Sequence, residues 1–271
     1  MAAHRRPPAA AEVTGPLAAL GLFSVLPVPA SARTPGPGVL RWFPLVGVLL
    51  GALAFVPALA VWRGADGGSP LLAAALVVGA LALLTRGLHL DGTADLADGL
   101  GSGQPAEQAL AIMRRPDVGA FGVAALVCLL LVQVTALGTV LAASSLVEGL
   151  VVVVLAATAG RTAVLHAAAR PVAGGSALGS LVAGGDSPVV RWTATVVLVA
   201  AAAGLRLLAG GSTADASWAA GAVVVALIAG AGLTAHATRR LGGVNGDVFG
   251  AVVEAGTAAA LVVLAAGTAW T

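Results

Sequence analysis

Apolar runs of about 20 residues follow one another along most of the chain, and the short stretches between them carry nearly all the charge. A run of that length is what an α-helix needs to cross the hydrocarbon core of a bilayer. Six strong spans are read, Trp42 to Trp62, Ser69 to Thr85, Val118 to Ala142, Leu146 to Ala168, Trp192 to Ala209 and Trp218 to Thr238, with a seventh from near Phe249 to Trp270. Composition agrees: 59% hydrophobic, 10% charged and a mean hydropathy of +1.00 are values soluble globular domains do not approach. The expected fold is all-α, a polytopic transmembrane helical bundle of about 6–8 membrane segments. It forms one domain, 15–271, behind a disordered tail, 1–14, rich in Pro and Ala.

The stretch from Pro16 to Pro29 is apolar but short and bounded by prolines, so it reads as interfacial or re-entrant. The opening MAAHRRPPAAAE has no apolar stretch beside its positive charge, and no cleavable secretion signal is expected. Trp42, Trp62, Trp192, Trp218 and Trp270 fall at span ends, where amphipathic rings prefer to sit. The single cysteine, Cys128, lies inside an apolar run and supplies neither a disulfide framework nor a thiolate metal site. The net charge is only +2 and all fourteen basic residues are arginine, without the clustered basic surface a nucleic-acid partner needs.

Arginines set the orientation. Connections holding Arg33 and Arg41, then Arg86, Arg114 and Arg115, then Arg170 and Arg191, then Arg239 and Arg240 alternate with connections nearly free of positive charge, Arg63 and Arg206 being the exceptions. The basic connections are expected in the cytoplasm, those around Asp66, Glu148 and Asp215 outside.

Two of the cytoplasmic stretches are acidic. In RGLHLDGTADLADGLGSG, Asp91, Asp95 and Asp98 are spaced by four and seven, which on a helix brings them within about 60° of one face. In GGVNGDVFGAVVE, Asp247 and Glu254 are seven apart. Singly, each aspartate reads as a cap or a solvated loop charge. Together, beside spans and on one side of the membrane, they read as ligands of a hard cation, Mg²⁺, shared with a diphosphate. Metal ligands are therefore expected at Asp91, Asp95, Asp98 and Asp247. Glycines crowd both stretches, which is read as room for backbone N–H groups to meet phosphate oxygens, and Gly250 as room for something to approach. There is no lysine and no phosphate-binding GxxxxGK[ST], so a P-loop hydrolase is excluded.

Between the acidic stretches, Arg114 and Arg115 in AIMRRPDVGAFG read equally as a clamp on substrate phosphates or as orientation anchors. His89 stands two residues from Asp91 and reads as the base that takes a hydroxyl proton, or as a backbone hydrogen-bond partner; an aspartate free of metal is the other candidate base. His166 and His236 lie deeper and read as helix contacts. Arg161, about one-third of the way into a span, reads as snorkelling or as a phosphate contact.

GLHLDGTADLADG, IMRRPDVGAFG and GGVNGDVFGAVVE, with FSVLPVP and RWFPLVG near the start, resemble the cobalamin synthase family, the adenosylcobinamide-GDP ribazoletransferases, over nearly the whole chain. The resemblance implies an integral membrane, Mg²⁺-dependent enzyme that joins α-ribazole, or its 5'-phosphate, to adenosylcobinamide-GDP and releases GMP. It puts His89, Asp91, Asp95 and Asp98 in one family motif, Met113, Arg114, Gly119 and Gly122 in a second, and Gly246, Asp247, Gly250 and Glu254 in a third. Arg115 and Asp117 reverse the family's usual acid and base there. The catalytic set expected is His89, Asp91, Asp95, Asp98 and Asp247; the substrate-binding set is Arg86, Arg114, Arg115, Arg161, Asn245 and Glu254. Partners implied are the two substrates and the lipid bilayer, with self-association left open and an active site on the cytoplasmic side of the cell membrane. The alternatives are another Mg²⁺-dependent membrane transferase, of prenyl or CDP-alcohol type, whose DGxxAR pattern fails after Asp91, and a small secondary transporter, whose internal repeat is missing.

Overall fold

The computed structural model describes residues 8–32, 36, 38–63, 67–174, 186–268 and 270. Among them are ten α-helices and no extended strand. These are α1 (Pro8–Phe23), α2 (Phe43–Phe55), α3 (Pro70–Leu84), α4 (Leu88–Gly101), α5 (Ala106–Ile112), α6 (Ala120–Ala142), α7 (Leu146–Ala167), α8 (Pro188–Leu208), α9 (Thr213–Leu241) and α10 (Gly246–Thr268). Six helical segments are long and apolar enough to cross a membrane: Val39–Ala60, which contains α2, and α6 to α10. The protein is a multi-pass helical bundle. Residues 1–7 of the expected tail, and Arg33 and Asp66, lie outside the described residues, while α1 takes in the rest of that tail.

Serines start the helices at the end of the bundle away from the arginines. Ser69 accepts the Leu72 N–H ahead of Pro70, and Ser145 and Ser212 form reciprocal capping boxes with Glu148 and Asp215. Both capping acids also hold Arg206, which explains that exception to the arginine pattern: its charge is neutralised where it sits. Trp62 corrects an expectation. It is fully buried rather than an interfacial anchor, because its ring lies edge-on to Phe55 at 5.9 Å and over Gly149.

Two helices form the axis. In α7 and α10, 78% and 67% of the most apolar stretch is buried, against 17% in α6 and 11% in α8, which stand outermost. Gly160 and Gly256 let the central pair cross on bare backbone: a Cβ at Gly256 would stand 2.9 Å from the Gly160 Cα. Gly47 and Gly51, a GxxxG pair on α2, meet α7 in the same way, with Thr158 and Val154 Cα atoms 2.8 and 2.9 Å from where a Cβ would be.

The expected span Ser69 to Thr85 is α3, but the chain then turns by 88° into α4. Arg86 (φ 56) and Gly87 (φ 69) are both left-handed, and Arg86 is the one non-glycine among the described residues with positive φ. Two such residues in a row cannot continue a right-handed helix, so α4 departs from α3 and lies across the arginine-bearing end of the bundle.

A leucine at Gly160 forces side-chain atoms into the backbone of α10, so Gly160→Leu is expected to cost about 1–3 kcal/mol. A thermal midpoint in detergent equal to that of the parent would contradict the bare-backbone crossing.

Candidate active site

Gly92 faces the start of α10 so closely that a Cβ there would stand 2.7 Å from the Asp247 Cα. One turn along, a Cβ on Gly250 would be 3.1 Å from both the Cα and the carbonyl oxygen of His89. This contact brings Asp91 and Asp247 to one cavity from stretches about 155 residues apart in sequence. The glycines therefore serve helix approach: what comes up to Gly250 is α4, Gly99 abuts Met113, and Gly101 abuts the Phe121 ring. Gly246 and Gly250 also line the cavity, so glycine here serves helix approach and the cavity wall together.

The cavity holds about 350 Å³. Phe23, Phe43, Met113 and Phe249 give it an apolar wall, and Asp91, Asp247, Asn245 and Arg114 supply polar groups. Asn245 does two jobs at the start of α10: its Oδ1 accepts the Val248 N–H at 3.0 Å, and its Nδ2 donates to Asp247 Oδ2 at 2.9 Å. Arg114 is tethered by donating to the Gly174 carbonyl at 2.6 Å, which aims it along the cavity edge.

Asp95 and Asp98 do not line the cavity, but Asp95 is close enough to Asp247 and Asp91 to feel their charges. Burial first, then the charges of Asp247, Asp91 and Asp98, push its carboxyl up to about 6. Such crowding of carboxylates is relieved by a bound cation or by protons. Asp98 is engaged differently: the Gly119 N–H donates to its Oδ2 (2.7 Å) and the Gly122 N–H to its Oδ1 (2.9 Å), so its carboxylate caps the start of α6 from another helix.

Among the described residues, no group of three His, Cys, Asp or Glu side chains stands ready-made as a metal cage. Mg²⁺ rarely uses one; it keeps several waters and takes one or two carboxylates plus substrate phosphates. Asp91, Asp95 and Asp247 are hard-oxygen donors in a mutually repelling set, and they fit that mode.

Not every expected residue reaches the cavity. Arg86 is exposed at the α3–α4 turn, where its role is the bend, and Arg115 is exposed beyond Met113; neither lines the cavity. Arg161 neither snorkels nor lines it. At 2% exposure it donates to the Ala157 carbonyl (2.8 Å) and lies 5.8 Å from the centre of the Phe43 ring, because Glu254 provides an opposite charge inside the bundle. Glu254 also sits behind the cavity, accepting from Gln133 Nε2 at 2.7 Å. His89 joins the two regions: it lines the cavity, its ring is T-shaped to Phe43, and its Nδ1, buried away from the cavity, is 3.9 Å from Glu254 Oε1. Gln133 was not singled out in the sequence; a lone amide within an apolar run was its one signal. His166 makes the helix contact expected of it, with Nε2 2.9 Å from Thr195 Oγ1.

The chain matches the family described as cobalamin-5-phosphate synthase over residues 15–265. It is 37% identical over 245 residues to an adenosylcobinamide-GDP ribazoletransferase of Chlorobaculum parvum, covering 89% of this chain and 91% of the relative. A protein of the same name from Brevibacillus brevis is 32% identical over 262 residues, covering 94% and 98%, and one from Frankia casuarinae is 36% identical over 232 residues, covering 82% of each. No solved structure matches the chain.

The capping role of Asp98 is separable from ligand roles nearby. Asp98→Ala removes both cap bonds and is expected to lower stability by about 1–2 kcal/mol. Asp91→Asn, which breaks no hydrogen bond of the fold, should leave the thermal midpoint within about 1 °C of the parent. Equal losses in the two variants would contradict this division.

Proposed function

The chain belongs to the cobalamin-5-phosphate synthase family and is a transferase of cobalamin synthesis, and from that membership we propose that it joins α-ribazole, or its 5'-phosphate, to adenosylcobinamide-GDP with release of GMP. The observation that carries the reading is an apolar, aromatic cavity set beside carboxylates from two helices. A base sits in the first part and a diphosphate is handled at the second.

The chemistry of the wall selects which base. Guanine presents donors and acceptors around its edge, and Phe23, Phe43, Met113 and Phe249 would leave them unpaired at a cost of about 1–3 kcal/mol each. The dimethylbenzimidazole of α-ribazole is flat, largely apolar and free of N–H groups. A corrin macrocycle is too large for about 350 Å³, so the cobinamide stays outside and extends its diphosphate to the mouth.

In the reaction the ribazole hydroxyl attacks the phosphorus attached to cobinamide. A new P–O bond forms, the bond to the GMP phosphate breaks, and GMP leaves with that bond's electron pair. Two of Asp91, Asp95 and Asp247 would hold Mg²⁺, which would neutralise charge on the diphosphate. Arg114, tethered at the edge, steadies phosphate oxygens from the other side. The hydroxyl proton passes to the carboxylate of that set that the ion leaves free. Burial and Arg161 hold the His89 pKa well below its ordinary value, and with both ring nitrogens buried the ring closes the cavity and positions what lies in it rather than taking the proton. The arginine pattern supports a cytoplasmic position for this end of the bundle in the cell membrane.

Purified protein given adenosylcobinamide-GDP, α-ribazole and Mg²⁺ should release GMP. Asp91→Asn and Asp247→Asn should each lower the rate by about a thousandfold or more, and His89→Gln by about a hundredfold or less. No GMP from the parent with both substrates intact contradicts the assignment; a parental rate in either asparagine variant removes that residue from the site. Phe249→Ala should raise KM for α-ribazole about tenfold and leave KM for adenosylcobinamide-GDP within about twofold. The opposite pattern places the other substrate in the cavity.

A further inference from the structure

We propose that a second cavity, between α7, α8 and α9, binds one anionic phospholipid. It holds about 640 Å³ and shares no lining residue with the first. Its wall changes character along its length. Arg170, just past the end of α7, and Arg191, in the second turn of α8, lie at the arginine-bearing end. Val224, Leu227 and Ile228 on α9 lie 13 to 17 residues before its end at Leu241, roughly 20–25 Å down the helix. Val224 and Ile228 are 44% and 63% exposed on the side of the bundle where lipid lies.

The basic part is short of counter-charge. No Asp or Glu lines the cavity, and neither Arg170 nor Arg191 has an acidic partner among the described residues, unlike Arg41 with Asp186 or Arg206 with Glu148 and Asp215. Arg191 Nε is buried with no hydrogen-bond partner. Trp192, 60% exposed, stands beside the arginines with its ring T-shaped to His166 at 5.0 Å, the placement of an interfacial anchor. A headgroup phosphate takes guanidinium groups in paired hydrogen bonds, and the apolar wall of Val224, Leu227 and Ile228 in the same cavity suits the start of an acyl chain. A choline headgroup carries its own cation to the two arginines and is disfavoured; a lipid with net negative charge, such as phosphatidylglycerol, completes the site.

The test uses the full chain, stripped of lipid in detergent, with native mass spectrometry counting bound lipid and thermal unfolding reporting stabilisation. Phosphatidylglycerol should be retained at one molecule per chain and raise the midpoint, while phosphatidylcholine of the same acyl composition and millimolar inorganic phosphate should do neither. Arg170→Gln with Arg191→Gln should weaken phosphatidylglycerol binding on the order of thirtyfold, the factor for losing two interfacial arginines, and Arg170→Lys with Arg191→Lys should keep most of it. Equal retention of the two lipids overturns the proposal, as does unchanged binding in the glutamine variant. The same shift from phosphate alone makes this a free-anion site and overturns it too. Should the glutamine variant fail to fold, the lipid comparison on the parent chain and the lysine variant still decide.

Discussion

Everything at the candidate site follows from one contact, the approach of α4 to α10 at Gly92 and Gly250. Side chains at either position would hold the helices apart by the width of at least a methyl group, and the two acidic stretches would part with them. Backbone contact also costs little entropy, since glycine has no side chain to order. The 88° bend after α3 makes the contact available: a straight continuation would carry Asp91 away from the bundle. The left-handed Arg86 and Gly87 are therefore as much a part of the site as the carboxylates, although neither lines it.

Behind the cavity, Arg161, Glu254, Gln133 and His89 form a polar layer inside an apolar bundle. Charges in such a place are expensive unless paired, and removing one partner strands the other. The layer fixes the depth to which a substrate base can enter, because His89 and Phe43 close the cavity from that side. Its position next to the carboxylates gives α4 opposite surroundings on its two sides, acidic at the mouth and paired charge beneath.

Much of this was legible in the sequence. The approximate limits of most spans follow from hydropathy, which acts residue by residue, although Ser69 to Thr85, read as a span, is the 15-residue α3 and is long enough only together with α4; the common side of both acidic stretches follows from the alternation of arginines. The family likeness, carried by contiguous strings such as GLHLDGTADLADG, was legible for the same reason. What stayed hidden depends on partners distant along the chain. Nothing local says that Asp98 caps a helix 21 residues on, that Arg161 finds Glu254, or that Trp62 is buried over Gly149 instead of resting at the interface. Nor does glycine density tell a glycine that admits a helix, as Gly92 does, from one that lines a cavity, as Gly246 does, since the two look alike in sequence.

The most direct test of the central contact is a cross-link between α4 and α10 in the native membrane. In a Cys128→Ser background, a chain carrying Asp91→Cys and Asp247→Cys should be bridged by a short thiol-reactive linker, and a control with Asp91→Cys and Asp215→Cys should not. A membrane-inserted, folded chain in which the first pair fails to cross-link would contradict a shared site for Asp91 and Asp247.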